Sequence, residues 1–425
     1  MPAPYTSPLA EALAPGLLER FVRYARIATQ SDPESETTPS SERQLDLGRL
    51  LEAELRAIGL DDAEIDDAGY VFATLPATVP DTPVVGLIAH VDTSPDAPGD
   101  GVEPLVHRDY DGGVIALPRG GTVLDPQRMP ELRGRAGHDI VTSSGDTLLG
   151  ADDKAGIAAI MAAVEYLAAH PELPRPALRV GFTVDEEVGR GALSFDVARF
   201  GARCAYTIDG STLGELQDES FNGSEARVVV HGVEVHPGFA KGKMVNALKL
   251  AAAIVAALPA DRLSPETTDG REGYVHPHEL RGDVTRAEIR FILRDFDEDG
   301  LAAHEALVRE VAERVVGAEP RARLEIAVRA QYPNMRAHLA CDPEVMAAAE
   351  RAIRAEGVEP LRVPIRGGTD GSLLSAMGLP TPNIFDGGHE YHSVREWASL
   401  QDMAAAAAVI VRLAAEWSAG SGPGG

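Results

Sequence analysis

The stretch Gly150-Ala-Asp-Asp-Lys-Ala-Gly156 constrains this chain more than any other. Two adjacent carboxylates and a lysine stand at the head of the run Ile157 to Leu167, which is apolar at nearly every position and reads as a buried helix. Taken alone, the doublet is an N-cap, because Asp caps helices well and a carboxylate suits the positive end of the helix dipole. Its company argues for more. His90-Val-Asp92, Asp185-Glu186-Glu187, Asp209 and His392 each stand at or just after the end of a short apolar run. Together these side chains form a ligand set for hard to borderline metals, and crowding them is costly unless something cationic fills the cluster.

At 425 residues the chain exceeds one ordinary core, and two domains are expected. Hydrophobic content of 44% fits a soluble globular protein. The opening Met1-Pro-Ala-Pro-Tyr lacks the basic and apolar regions of a secretory signal, and no run approaches a membrane span. Cys204 and Cys341 are too few and too distant for a disulfide framework, which points to a reducing compartment, the cytoplasm. A net charge of −27 argues against nucleic acid and anionic membranes. It is compatible with small cationic or zwitterionic substrates, and plain solubility accounts for it equally well.

Along the chain, Leu17 to Thr29 has a helical period, Ser31 to Arg43 is a polar loop, and Gln44 to Ile58 is an amphipathic helix ended by Gly59. Val71 to Leu75 and Val84 to Ala89 read as strands, the second apolar enough to be central in a sheet covered on both faces. It delivers His90 and Asp92 to one face, so that Asp92 can hold the imidazole while the other ring nitrogen binds metal. Asp96 to Asp146 is expected to be mainly loop, with a short strand pair near Val114 to Leu117. Ala177 to Val184 is a buried strand running into three consecutive carboxylates, which repel one another unless a metal and a proton resolve the conflict. Ala202 to Ile208 is a further strand, ending at Asp209.

From about Leu213 to Gln331 the pattern changes. Glu225 to His231 and Val233 to His236 read as a strand pair, Met244 to Leu258 as a helix, Asp283 to Asp295 as a strand, Leu301 to Val316 as a helix and Arg321 to Ala330 as a strand. That order describes an inserted α+β domain. Pro343 to Glu356 then reads as helix, and Ile365 to Gly371 as a glycine-rich loop opening another. Thr381 to Asp386 is a last strand, Gln401 to Ala419 a closing helix, and Ser418 to Gly425 a flexible tail. His90, Asp152, Glu187, Asp209 and His392 thus all lie at carboxyl ends of expected sheet strands or at helix starts after them, where open α/β sheets place their sites. Two histidines and three carboxylates exceed the needs of one tetrahedral zinc and suit two metals sharing one carboxylate, with the central Asp152 as bridge. Such a pair can activate one water and polarise a carbonyl, which is the chemistry of amide hydrolysis.

The ordered motifs HVDT, TLLGADDKAG, TVDEEVG, TIDG, VHPGFAKGKMVNAL, RGGTDG and YHSVRE closely resemble the peptidase T family, tripeptide aminopeptidases among the co-catalytic zinc metallopeptidases. The resemblance spans nearly the entire chain. It implies an α/β fold: a catalytic domain of residues 1–212 and 332–425 with a mixed, mostly parallel sheet covered by helices. Residues 213–331 would be an inserted, ferredoxin-like α+β domain serving as lid and dimerisation domain. It further implies that His90 and Asp209 complete one zinc, Glu187 and His392 the other, with Asp152 bridging, and that the Asp152–Asp153 peptide is cis. Glu186 would be the general base and Asp92 would orient His90. Co2+ or Mn2+ are alternatives to the two Zn2+ ions.

On the substrate side the resemblance implicates His236, reaching into a neighbouring subunit's site in a homodimer, together with Asn246. Arg294 and Arg366 are candidates to grip the peptide carboxylate, although a surface salt bridge is the ordinary fate of such arginines. His389 precedes the His392 motif and competes with it as ligand; the spacing to Glu396 favours His392. Two rival readings share the metal ligands. One is a related carboxypeptidase, dipeptidase or N-acyl amino acid deacylase. The other is a non-catalytic metal-binding relative, which would have no reason to retain Glu186.

Overall fold

The computed structural model describes residues 5–419, so the expectations for the first four residues and for the tail after Ala419 lie outside the described residues. The chain forms two compact units. One comprises the chain up to Asp218, Ala337–Val363 and the chain from Thr369 on; the other comprises Glu219–Arg336 and Pro364–Gly368.

The first unit is built on an eight-stranded mixed sheet. Its middle strands, in spatial order Leu178–Thr183, Val85–His90, Cys204–Thr207 and Asn383–Ile384, are mutually parallel. All four are buried along nearly their whole length and mostly apolar, with Arg179 the one position not fully buried, as a sheet covered on both faces requires. The register sets His90 level with Thr183 and Ile88 level with Thr207, so the three strands finish at the same end of the sheet, within two residues of one another. Antiparallel pairing begins only outside this core, at Val71–Leu75 on one side and Glu215–Gln217 on the other.

Helices Pro8–Ala25, Ala151–Ala169 and Leu400–Ser418 pack on one another, and Ala151–Ala169 packs on Val85–His90. Ala404 to Ala408 are wholly buried, and their short side chains let the last of these helices sit among its neighbours. The region Asp96 to Asp146 holds more structure than expected. Leu105–His107 and Ile140–Thr142 join Trp397–Ser399 and Gly388–His389 in a small second sheet, and Ile115–Ala116 pairs with Val123–Leu124. The first helix also starts nine residues before the expected Leu17, at Pro8, capped by Ser7, and it carries Pro15 within it.

The second unit has the element order β-α-β-β-α-β. Its strands lie in the spatial order Tyr274–Gly282, Arg286–Asp295, Asn222–His231 and Arg323–Tyr332, every pair antiparallel. Helices Ala247–Ala256 and Glu298–Gly317 cover a core that includes Val228, Ile289, Phe291, Val308 and Val311. Two local expectations are corrected here. Val233 to His236 forms no strand and contributes only a bridge from Val233 to Val245. The strand Tyr274–Gly282 replaces it as the sheet edge, where the irregularity after Pro277 absorbs a residue that cannot donate to the ladder.

Candidate metal centre

Each middle strand of the large sheet hands one chemical group to the same end. Val85–His90 ends on His90, Leu178–Thr183 leads into the Glu186-Glu187 turn, and Cys204–Thr207 leads to Asp209. Asn383–Ile384 leads towards the loop that carries His392. Asp152 comes from the head of helix Ala151–Ala169, where Asp152 and Asp153 have non-helical backbone angles and the peptide between them is cis.

The side chains form two overlapping triads, His90 with Asp152 and Asp209, and Asp152 with Glu187 and His392. One oxygen of Asp152 lies 2.8 Å from His90 Nε2, and its other oxygen lies 3.3 Å from His392 Nε2. Asp209 Oδ1 stands 3.7 Å from His90 Nε2, and Glu187 Oε2 stands 2.9 Å from His392 Nε2. In both triads the potential donor atoms lie within 4.8 Å of one another. His389, the rival ligand, is instead stacked on Trp397 at 4.3 Å, and burial pushes its pKa down to about 3.

The electrostatics show what the cluster lacks. Burial raises the Glu187 carboxyl to about 8, that of Asp209 to about 6, and that of Glu186 well above the ordinary range. Burial works in the other direction on His392, but its contacts with Asp152 and Glu187 outweigh it and lift the imidazole to about 12. His90 is likewise lifted by Asp152, Asp209 and Asp92 against the effect of burial. Buried carboxylates thus outnumber their cationic partners. Glu187 Oε1 is in addition buried without a hydrogen-bond partner. Imidazole nitrogens and carboxylate oxygens converging on surplus negative charge fit divalent cations of the zinc type.

Further carboxylates brace the side chains and backbone of the two triads. Asp92 faces His90 Nδ1 at 3.3 Å, leaving Nε2 for the cluster, and its two oxygens accept the Glu186 and Glu187 N–H groups at 3.1 Å each. Asp153 is the cap: its Oδ1 accepts Gly156 N–H at 3.1 Å, and its Oδ2 accepts His90 N–H at 3.3 Å. Asp185, at φ 61, accepts from Ser40 N–H and from Gln44 Nε2 at 2.7 Å, while its own N–H donates to Gln44 Oε1. Glu396, buried, accepts backbone N–H groups from Leu149, Gly150 and Asp152. The cap reading of the doublet falls to Asp153, whereas the roles of Asp185 and Glu396 went unread in the sequence, where only the His392-to-Glu396 spacing hinted at the second.

The four substrate-side candidates belong to the second unit. His236 is exposed and its Nδ1 accepts Gly238 N–H at 3.1 Å. Asn246 caps helix Ala247–Ala256 through Lys249 N–H. Arg294 donates to the carbonyls of Leu293 and Ser224 and lies over the Tyr332 ring. Arg366 donates to the carbonyls of Gly270 and Glu272 and to Thr268 Oγ1, and lies over Phe221.

Residues 148–416 match the model of peptidase family M20/M25/M40. Peptidase T of Geobacillus kaustophilus is 48% identical over 399 residues, covering 93% of this chain and 97% of that protein. Peptidase T of Bacillus subtilis is 46% identical over 405 residues, covering 95% and 98%. The solved structure of aminopeptidase PepT from Bacillus cereus superposes with a TM-score of 0.73 at 23% identity, over 95% of this chain and 98% of that one, and so shares the fold. The chain belongs to peptidase family M20/M25/M40, as a peptidase T relative.

Proposed function

We propose that this peptidase is a metal-dependent aminopeptidase that removes the first residue of tripeptides. The observation that carries the reading is the shared carboxylate: Asp152 turns one oxygen to each of two histidine-containing triads. His90, Asp209 and one Asp152 oxygen would hold one ion; Glu187, His392 and the other Asp152 oxygen would hold the second. When bound, two divalent cations, Zn2+ foremost with Co2+ or Mn2+ as alternatives, supply Lewis acidity that polarises the scissile carbonyl and acidifies water.

The chain's own groups do the rest. Glu186 belongs to neither triad, yet its backbone is tied to Asp92 beside them. Its carboxylate takes the proton from the attacking water and passes it to the leaving amine. Asp92 fixes the tautomer and orientation of His90.

For the substrate we assign His236, Asn246, Arg294 and Arg366 to the peptide side, with the second unit acting as a ferredoxin-like lid in a homodimer. The relation to peptidase T supports this assignment. Both cysteines are free, in keeping with the reducing setting of the cytoplasm, and among the described residues no helix is long and apolar enough to cross a membrane. The deciding experiment incubates the zinc-loaded protein with di-, tri- and tetrapeptides and with acetylated tripeptide, and identifies the released residue. Release of the first residue from free tripeptide, with the acetylated peptide resistant, is expected. Equal rates for blocked and free peptides would move the protein to the deacylase or carboxypeptidase reading.

A further inference from the structure

Outside the two triads, Glu396 is a buried carboxylate tied only to backbone. It is 1% exposed, and its three acceptances come from one short loop. Oε2 takes the N–H of Leu149 at 2.7 Å and of Gly150 at 2.8 Å, and Oε1 takes the N–H of Asp152 at 3.1 Å. Backbone N–H groups of one short segment thus occupy three of the roughly four acceptor sites of this buried carboxylate, so its task lies in the loop it gathers. That loop ends on Asp152, the carboxylate common to both triads. Gly150 within it has φ 78 and Asp152 is non-helical, and the helical bond that reaches back this far, Lys154 N–H on Gly150 O at 3.3 Å, leaves the N–H groups of Leu149, Gly150 and Asp152 to Glu396.

Glu396 also stands four residues after His392, and its own N–H turns back to Ser393 O at 3.2 Å. One side chain therefore fastens the segment bearing His392 to the segment bearing Asp152, two ligands that are remote in sequence.

We propose that Glu396 is a positioning residue for the metal centre: it sets the direction of the Asp152 carboxylate before any ion arrives, and so tunes the affinity of both triads. The inference rests on the reading of Asp152 as the shared ligand. Glu396→Gln is the discriminating change. The amide keeps one carbonyl oxygen, enough for the Leu149 and Gly150 N–H groups, but it sets an NH2 against the Asp152 N–H. Charge and acceptor are lost where the ligand is aimed, with size and shape retained.

Co2+ uptake by the purified full-length protein, measured by competition with a chelating dye, and the visible absorption of the Co2+ form are the readouts, with thermal unfolding as the check on folding. Expected is a folded Glu396→Gln protein whose Co2+ affinity falls ~10–100-fold, the usual effect of losing a partner behind a metal ligand, with an altered Co2+ spectrum. Wild-type affinity and spectrum in the variant overturn the proposal, even if its melting temperature falls, because the residue then serves stability alone. Should the variant not fold, amide hydrogen exchange in metal-free wild-type protein decides. Protected amides at Leu149, Gly150 and Asp152 uphold a preformed loop, and free exchange overturns it. Wild-type protein that takes up no Co2+ overturns the metal centre itself, an outcome distinct from equal uptake by both proteins.

Discussion

Asp152 and Asp153 are identical neighbours with different work. The first offers an oxygen to each imidazole, and the second turns to accept the N–H groups of Gly156 and His90. The cap reading of the doublet thus falls to Asp153, while Asp152 stands in both triads. The Glu186-Glu187 pair divides in a similar way, since only Glu187 joins a triad. Glu186→Gln should keep the metals and lower kcat by ~10²- to 10⁴-fold, the usual worth of a general base. Glu187→Gln should weaken metal uptake by at least the ~10–100-fold typical of changes one shell further out. Metal content by elemental analysis beside turnover separates the two, and the reverse pattern would mean that their roles are exchanged.

At the scale of elements, the head of helix Ala151–Ala169 meets the end of strand Cys204–Thr207 only because position 156 carries no side chain. A Cβ there would stand 2.0 Å from Ile208 O and 2.3 Å from Asp153 Oδ1. Gly156→Ala should push the helix head from the strand end, and with it Asp152 from Asp209. The expected cost is about 1–3 kcal/mol in denaturant unfolding, accompanied by weaker metal uptake. Wild-type stability and uptake would show that the junction has room to spare. The strand ends were legible in sequence because each central strand is an apolar run that halts at a charged residue. Tyr274–Gly282 was not, since an edge strand needs no apolar alternation and Pro277 argues against one. Glu396 was not either, because its partners are backbone N–H groups of a loop some 244 residues earlier, which leave no trace in side-chain pattern.

For the molecule as a whole, the proposed homodimer makes a demand that follows from symmetry. If His236 serves the partner's site, mixing inactive Glu186→Ala with inactive His236→Ala subunits yields heterodimers with one site carrying both lesions and one carrying neither. Activity should return to the mixture; if heterodimers are shown to form and it does not, His236 acts within its own subunit or not at all. The strand Asn383–Ile384 carries another consequence, one of timing. It lies inside the large sheet, between Cys204–Thr207 and Glu215–Gln217, although the whole of Glu219–Arg336 separates it from both in the chain. A nascent chain emerging from the ribosome therefore exposes nearly all of the second unit while the first still has a gap in the middle of its sheet. The later unit in sequence can mature first, and the second triad stays incomplete until His392, which follows that unit in the chain, has emerged.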